Sequence, residues 1–171
     1  MLNILLSGCR GKLCASVAEC ADGQTDLRVV GGIDRASGQA MPFPVFSAPE
    51  TVALPDANRP NVVIDCSHPS ALPGLLAFCV EQRCPLVVAT TGYGENEQAL
   101  LAEAGRSIPI FYGRNMSLGI NLLRELVKSA ARVLGSDFDV EIVESHHSQK
   151  IDAPSGTALI LAEAINEAME V

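Results

Sequence analysis

Short apolar runs alternate with amphipathic segments along the first two thirds of the chain. The runs, which predict β-strands, are Leu2 to Leu6, Leu27 to Ile33, Val62 to Asp65, Leu86 to Ala89 and Ile108 to Tyr112. The segments with helical spacing are Leu13 to Ala21, Ala71 to Glu81 and Glu95 to Gly105. Repeated strand–helix units whose strands are apolar on both faces predict a parallel sheet covered by helices. The proline-rich segment from Ala36 to Pro60 predicts a loop with at most a short strand around Val45.

The pattern changes after Asn115. Residues 117–134 predict one amphipathic helix that ends at Gly135. Beyond it, the residues from Val140 to Val143 predict a short strand, and Ala158 to Ile165 predict a second helix. One strand with two helices is a poor independent domain. We therefore expect a first domain at 1–115 and, at 116–171, the incomplete beginning of an α+β domain.

The loop between that strand and that helix concentrates the candidate chemistry. It holds His146, His147 and Lys150, and Pro154 with the turn 155–157 marks the start of the helix. A helix N-terminus beside a lysine suits a carboxylate or phosphate, and an imidazole exchanges protons near neutral pH. Adjacent histidines are also common as surface polar residues, and Ser-Gly-Thr is a common helix cap. Because two of the three histidines lie beside a lysine and a helix start, we interpret the segment as an active-site loop.

Composition narrows the class of ligand. The formal net charge of −8 argues against nucleic acid and against an anionic membrane surface, and no apolar run is long enough to span a bilayer. An anionic ligand must therefore bind at a local positive site. The six cysteines include no C-x-x-C pair, so we expect no metal site. No signal peptide is evident, and we expect reduced thiols and a cytoplasmic protein.

A glycine turn follows the first strand. Gly8 permits a tight turn, and Gly11 permits close approach of a pyrophosphate to the start of the next helix. A G-x-x-G spacing alone also fits a plain strand–helix turn. Asp34 ends the second predicted strand, where an acid binds adenosine ribose hydroxyls, whereas Arg35 suits a 2′-phosphate. NADH and NADPH both remain open as cofactors of this Rossmann-like α/β fold.

Two more strand ends carry polar residues at the edge where ligands bind to open α/β sheets. The first is the segment 65–70, in which we interpret Ser70 as a helix cap. The second is Thr90-Thr91-Gly92, for which a cap and a contact with the nicotinamide are equally good interpretations.

The chain resembles the dihydrodipicolinate reductase family over nearly its whole length. The resemblance rests on Gly8-x-x-Gly11-Lys12, on Thr90-Thr91-Gly92, on Asn115-x-Ser117-x-Gly119-x-Asn121 and above all on the string His146-His147-x-x-Lys150-x-Asp152-Ala153-Pro154-Ser155-Gly156-Thr157-Ala158. It implies an NAD(P)H-dependent oxidoreductase of diaminopimelate and lysine biosynthesis that reduces 4-hydroxy-tetrahydrodipicolinate, a small dicarboxylate, to tetrahydrodipicolinate. It also implies a homotetramer in the full-length form.

The resemblance assigns roles by position. His146 and Lys150 are implied to be catalytic, and His147, Gly156 and Thr157 are implied to bind the substrate carboxylates. The implied cofactor contacts are Gly8, Cys9, Arg10, Gly11, Lys12, Leu13, Asp34, Arg35, Ala89, Thr90, Thr91, Gly113, Arg114, Asn115 and Met116.

The chain departs from the family pattern in four respects. Leu13 replaces a usual methionine, Cys14 a usual glycine and Arg114 a usual small residue. In addition, family members continue through a mixed β-sheet beyond the position of Val171. A rival hypothesis is therefore a truncated, non-catalytic dinucleotide-binding module.

Overall fold

The computed structural model describes residues 1–35, 40–148, 150 and 153–169. Within these residues, the strands are β1 (Leu2–Ser7), β2 (Leu27–Ile33), β3 (Val45–Phe46), β4 (Val62–Asp65), β5 (Leu86–Val88) and β6 (Ile110–Tyr112). The helices are α1 (Lys12–Asp22), α2 (Leu72–Gln82), α3 (Glu95–Ala104), α4 (Leu118–Leu134) and α5 (Gly156–Met169). Contacts divide the chain into two compact units, Met1–Gly113 and Arg114–Val171, and each is described by itself.

All six strands of the first unit form one parallel sheet in the order β3-β2-β1-β4-β5-β6. The order reverses between β1 and β4, because the chain builds outward from β1 first on one side and then on the other. This is the doubly wound order of Rossmann folds, in which ligands bind at the reversal point. The predicted Rossmann-like α/β fold is confirmed.

Both faces of the sheet are covered, as the apolar strands require. On one face, Leu5, Val63 and Val88 pack against residues of α2 and α3. On the other face, Ile4 and Leu6 pack with residues of α1 that include the fully buried Cys14. The strand predicted from Ile108 begins only at Ile110, because the Ile108 amide still donates to Ala104 at the end of α3.

The proline-rich segment contributes one short edge strand. Val45 and Phe46 pair with Gly32 and Ile33 of β2, which confirms the expected strand around Val45. Residues 36–39 of this predicted loop lie outside the described residues. Gly32 is required at this point because a Cβ would lie 2.6 Å from Cys9 Sγ.

Two helices, α4 and α5, make up most of the second unit. Helix α4 begins after Ser117, whose Oγ accepts the Ile120 amide at 3.4 Å, and ends at Gly135 with a φ of 64°. It packs against α5 through a small core of Val127, Ala131, Ile165 and Ala168. The predicted long helix and its glycine end are therefore confirmed. None of the described helices is both long and apolar enough to cross a membrane.

The strand predicted at Val140 to Val143 is wrong for the described structure. These residues have no regular secondary structure, and Val143 is 91% exposed. A strand forms only where a neighbour satisfies its backbone N–H and C=O groups, and the described part of this unit offers no second strand. The apolar alternation is therefore present in the sequence without the ladder that would make it a strand.

Candidate active site

A cleft of about 520 Å³ lies at the carboxyl edge of the sheet in the first unit. It is formed by the segments that follow β1, β2 and β4, at the point where the strand order reverses. The predicted cofactor residues that line it are Gly8, Gly11, Asp34 and Arg35. The structure therefore brings the glycine turn and the end of the second strand to one site, as expected for a dinucleotide.

The first turn is shaped around two glycines. Gly8 has a φ of +75°, and a Cβ there would lie 2.7 Å from the carbonyl oxygen of Cys66. Gly11 donates its amide to the Gly8 carbonyl at 2.9 Å and stands at the start of α1. Within the described residues, no side chain caps this helix. Its first amides can therefore serve an anionic group.

Asp34 holds the same turn from the neighbouring strand. Its Oδ2 accepts the Arg10 amide at 2.9 Å, which fixes the turn against the end of β2. The exposed Arg35 follows it at the cleft. The other four predicted cofactor residues of the turn do not line this cleft: Cys9 is buried beneath the turn, Arg10 is half-buried, and Lys12 and Leu13 are exposed at the start of α1.

A buried carboxylate organises the ends of β4 and β5. Asp65, 1% exposed, accepts the Ser67 hydroxyl at 2.6 Å and the Thr90 hydroxyl at 2.7 Å. Thr90 Oγ1 also accepts the Ser67 amide at 2.9 Å. Burial and the charge of Asp65 raise the pKa of the nearby Tyr93 hydroxyl well above its usual range.

The predicted cofactor residues at the end of β5 differ in their exposure. The Thr90 side chain is held by its hydrogen bonds with Asp65 and Ser67, while Thr91 is exposed. Ala89 donates its amide to the Asp65 carbonyl.

The segment 65–70, which the sequence predicts at the ligand-binding edge of the sheet, contributes Ser67 and His68 to the cleft beside Gly8. Neither residue is among the cofactor contacts that the resemblance implies. Their position directly after a buried strand is the signal that identifies them. The cap expected at Ser70 is instead provided by His68, whose Nδ1 accepts the Ser70 amide at 3.2 Å.

In the second unit, Glu144 ties the histidine loop to the start of α5. Its Oε1 accepts the Ser155 amide at 2.9 Å, and its Oε2 accepts the Ser155 hydroxyl and lies 2.9 Å from His146 Nε2. Ser155 Oγ in turn accepts the Ala158 amide at 3.1 Å, which makes Ser155 the helix cap. The predicted helix start is confirmed. Glu144 itself was not predicted, because its role depends on a contact eleven residues away.

The motif that begins at Asn115 meets the turn 155–157 at the start of α5. Asn115 Nδ2 donates to Thr157 Oγ1 at 3.1 Å, and Asn115 Oδ1 accepts the Ser117 amide at 2.9 Å. Arg114 pairs through both terminal nitrogens with Glu163 of α5. A predicted cofactor residue, Asn115, therefore positions a predicted substrate residue, Thr157.

For three of the remaining predicted site residues, Lys150, Met116 and Gly113, the structure gives a backbone hydrogen bond or an exposure. Lys150 donates its amide to the His147 carbonyl at 3.1 Å, which forms a turn. Met116 is 44% exposed. In the first unit, Gly113 follows β6, and its amide donates to the carbonyl of Val88, the last residue of β5. Asp152 of the motif lies outside the described residues.

The Glu144 anchor gives a prediction for pH. Hydrogen bonds from Ser155 and His146 lower the pKa of Glu144 from 4.5 to about 2. A depressed pKa means that the anchor stabilises the folded loop fully above pH 4.5 and loses this effect as the pH falls toward 2. We expect the Ser155 amide resonance to report a titration near pH 2. Glu144→Gln should remove that titration, and a midpoint at the ordinary pKa in the wild type would contradict the anchor.

The fold and the cleft together define a dinucleotide-binding protein of the doubly wound α/β class. The chain belongs to the dihydrodipicolinate reductase family: residues 2–116 match its N-terminal domain and residues 119–171 its C-terminal domain. It is 42% identical over 98% of its length to the 4-hydroxy-tetrahydrodipicolinate reductase of Clostridium tetani. It is 44% identical over 99% to that of Caldanaerobacter subterraneus. The chain spans 64% and 65% of the length of these two relatives.

Solved structures agree with this assignment. A dipicolinate-bound dihydrodipicolinate reductase from Paenisporosarcina sp. TG-14 superposes with a TM-score of 0.76 and 26% identity, over 99% of this chain and 67% of that chain. An aspartate dehydrogenase from Thermotoga maritima superposes with a TM-score of 0.54 at 15% identity, over 75% of this chain and 52% of that one. At that identity the second likeness shows the fold alone.

Proposed function

We propose that this chain carries the cofactor site and the catalytic loop of a 4-hydroxy-tetrahydrodipicolinate reductase. The reaction is the NAD(P)H-dependent reduction of 4-hydroxy-tetrahydrodipicolinate to tetrahydrodipicolinate, in diaminopimelate and lysine biosynthesis. The observation that carries the proposal is the match to both family domains, in a chain whose catalytic motif stands at a helix N-terminus. The relative solved with dipicolinate, a cyclic dicarboxylate, supports the substrate class.

The residues of the first unit fit a dinucleotide. Gly8 and Gly11 line the cleft and permit the tight turn that brings the start of α1 to it, and this uncapped helix start suits a pyrophosphate. Asp34 and Arg35 would meet the adenosine ribose, and the backbone of Ala89 to Thr91 would meet the nicotinamide end. When bound, the reduced nicotinamide supplies the hydride. The protein's own task is to orient it and to exclude water.

The residues of the second unit would hold the substrate. The Gly156 and Thr157 amides belong to the first turn of α5, where intrahelical acceptors are lacking, and they suit a carboxylate. Lys150 adds a full positive charge, and His147 adds a further donor. His146 would supply the proton that accompanies hydride transfer, with Glu144 fixing its ring through Nε2.

The direct test is an assay with both cofactors. NADH and NADPH binding would be measured by calorimetry, and turnover by loss of the reduced nicotinamide absorbance with freshly generated substrate. Binding with turnover supports the reductase. Binding without turnover supports the rival, a non-catalytic dinucleotide-binding module. Absence of binding would contradict both.

Cofactor preference is a separate prediction. Asp34 should favour NADH, because a carboxylate repels a 2′-phosphate, while Arg35 offsets part of the repulsion. We expect Asp34→Ala to shift the ratio of the two affinities toward NADPH. The exposed Asp22 provides a charge-matched control, since it lies at the other end of α1. An unchanged ratio would show that Asp34 does not contact the ribose of the cofactor.

Location and assembly complete the proposal. We propose a cytoplasmic protein, which the six free cysteines support, and a homotetramer in the full-length form. Light scattering of that form would measure the assembly directly.

A further inference from the structure

Two thiols meet beneath the glycine turn. The Cys66 amide donates to the carbonyl oxygen of Ser7 at 3.0 Å, and Cys14 Sγ lies 3.3 Å from the same oxygen. The two cysteines come from different elements, the start of α1 and the residue after β4. Both pack in the same apolar cluster on one face of the sheet. The fold therefore places a pair of cysteines within side-chain reach of one another.

The two thiols differ in exposure and in chemistry. Cys14 is fully buried, whereas Cys66 is half-buried and lines the cleft. A hydrogen bond between the side chains lowers the pKa of Cys66 and, together with burial, raises that of Cys14 far above its usual range. Thiolate character and access select the thiol that reacts first. Because Cys66 lines the cleft and Cys14 is fully buried, Cys66 is the attacking thiol and Cys14 the resolving one.

We propose that Cys14 and Cys66 form a reversible redox pair that a hydroperoxide converts to a disulfide at the rear of the cleft. The Cys66 thiolate attacks the peroxide oxygen, the O–O bond breaks, and water or an alcohol leaves after protonation. Cys14 sulfur then attacks the resulting sulfenic sulfur, the S–O bond breaks, and its proton leaves with the oxygen as water. Two thiols are oxidised and one peroxide is reduced.

The other cysteines distinguish this pair from general oxidation. Cys79 and Cys84 pack in the core cluster on the other face of the sheet and do not line the cleft, and burial raises the pKa of Cys79 to about 12 and that of Cys84 to about 11, so neither serves as the attacking thiol or reaches Cys66. Cys20 is exposed on α1, the helix that carries Cys14, and serves as a matched control for access. Cys9 is buried near the pair and is the competing partner.

The test treats the reduced chain with hydrogen peroxide and maps links by mass spectrometry without reduction. Cleavage at Lys12 and Glu19 separates Cys14 from Cys20. We expect loss of two hydrogens, one Cys14–Cys66 link, and full reversal by dithiothreitol. Cys20→Ser and Cys9→Ser should leave the link intact. Cys66→Ser should abolish it, and Cys14→Ser should leave a Cys66 sulfenic acid that dimedone traps.

Three outcomes would overturn the pair: a link through Cys9 or Cys20, oxidation of Cys20 before Cys66, or Cys66 oxidation beyond sulfenic acid with Cys14 still reduced. Each variant's thermal unfolding would be measured first, to establish that it folds.

The consequence for the cofactor rests on the proposed function. Because Cys66 lines the cleft with Gly8, NADH should slow formation of the link, and the linked protein should bind NADH more weakly. Failure of NADH to bind the reduced chain would contradict the proposed function and leave the link unaffected. Equal oxidation rates with and without bound NADH would contradict only the coupling.

Discussion

Replacing Gly8 with alanine should lower dinucleotide affinity by about a hundredfold, which corresponds to about 2.7 kcal/mol. The backbone there has a φ of +75°, which costs an L-residue about 1–2 kcal/mol. The new Cβ would also lie 2.7 Å from the Cys66 carbonyl oxygen and 2.8 Å from Ser67 Cα. Both are backbone atoms at the end of a buried strand, so the turn must move instead of its neighbours. A displaced turn no longer presents the first amides of α1 to a pyrophosphate.

Gly74 offers a matched control for this variant. It lines the same cleft from within α2, and the nearest atom to a Cβ there is Pro49 Cγ at 3.9 Å. Gly74→Ala should therefore bind cofactor normally and gain about 0.5–1 kcal/mol of stability from helix propensity. Calorimetry and thermal unfolding measure both effects. Wild-type affinity in Gly8→Ala would show that the dinucleotide does not use this turn.

The sheet and its covering helices could be predicted because their information is local. Each buried strand is a short apolar run, and each helix repeats its apolar positions every three or four residues. The glycine turn was equally visible, since a strand, two glycines and a helix follow one another directly. The parallel pairing of Ser7 with both Ile33 and Asp65 then brings the predicted turn and the predicted acid to one edge.

What could not be predicted depends on contacts between distant residues. Asp65 gains its role only when β5 brings Thr90 beside it, and Glu144 gains its role only when the chain returns to Ser155. The strand expected at Val140 failed for the same reason, since alternation describes one strand and gives no information about its partner. Cys14, noticed only as a departure from a family pattern, proved to be fully buried against the end of β4.

Removing the Lys150 side chain should lower kcat/KM for 4-hydroxy-tetrahydrodipicolinate by about 10²–10³-fold, in the preparation that shows turnover. This is the range for losing one positioned donor to developing or fixed negative charge. The protein has a net charge of −8, so a local cation is needed to hold a dianion beside the start of α5. Cofactor affinity should stay unchanged, because the proposed function assigns Lys150 to the substrate and not to the cofactor.

Lys128 is the matched control for Lys150→Ala, because its Nζ pairs with Glu167 on the surface of the same unit. Lys128→Ala should keep wild-type kinetics.

His146→Gln should lower kcat more than it raises KM, because it removes a proton donor and keeps a polar side chain. Glu144→Gln should lower kcat less than His146→Gln, since it loosens the imidazole without removing it. If Lys150→Ala and His146→Gln both turned over substrate at the wild-type rate, neither side chain would take part in the reaction, and the motif's role would be limited to starting α5.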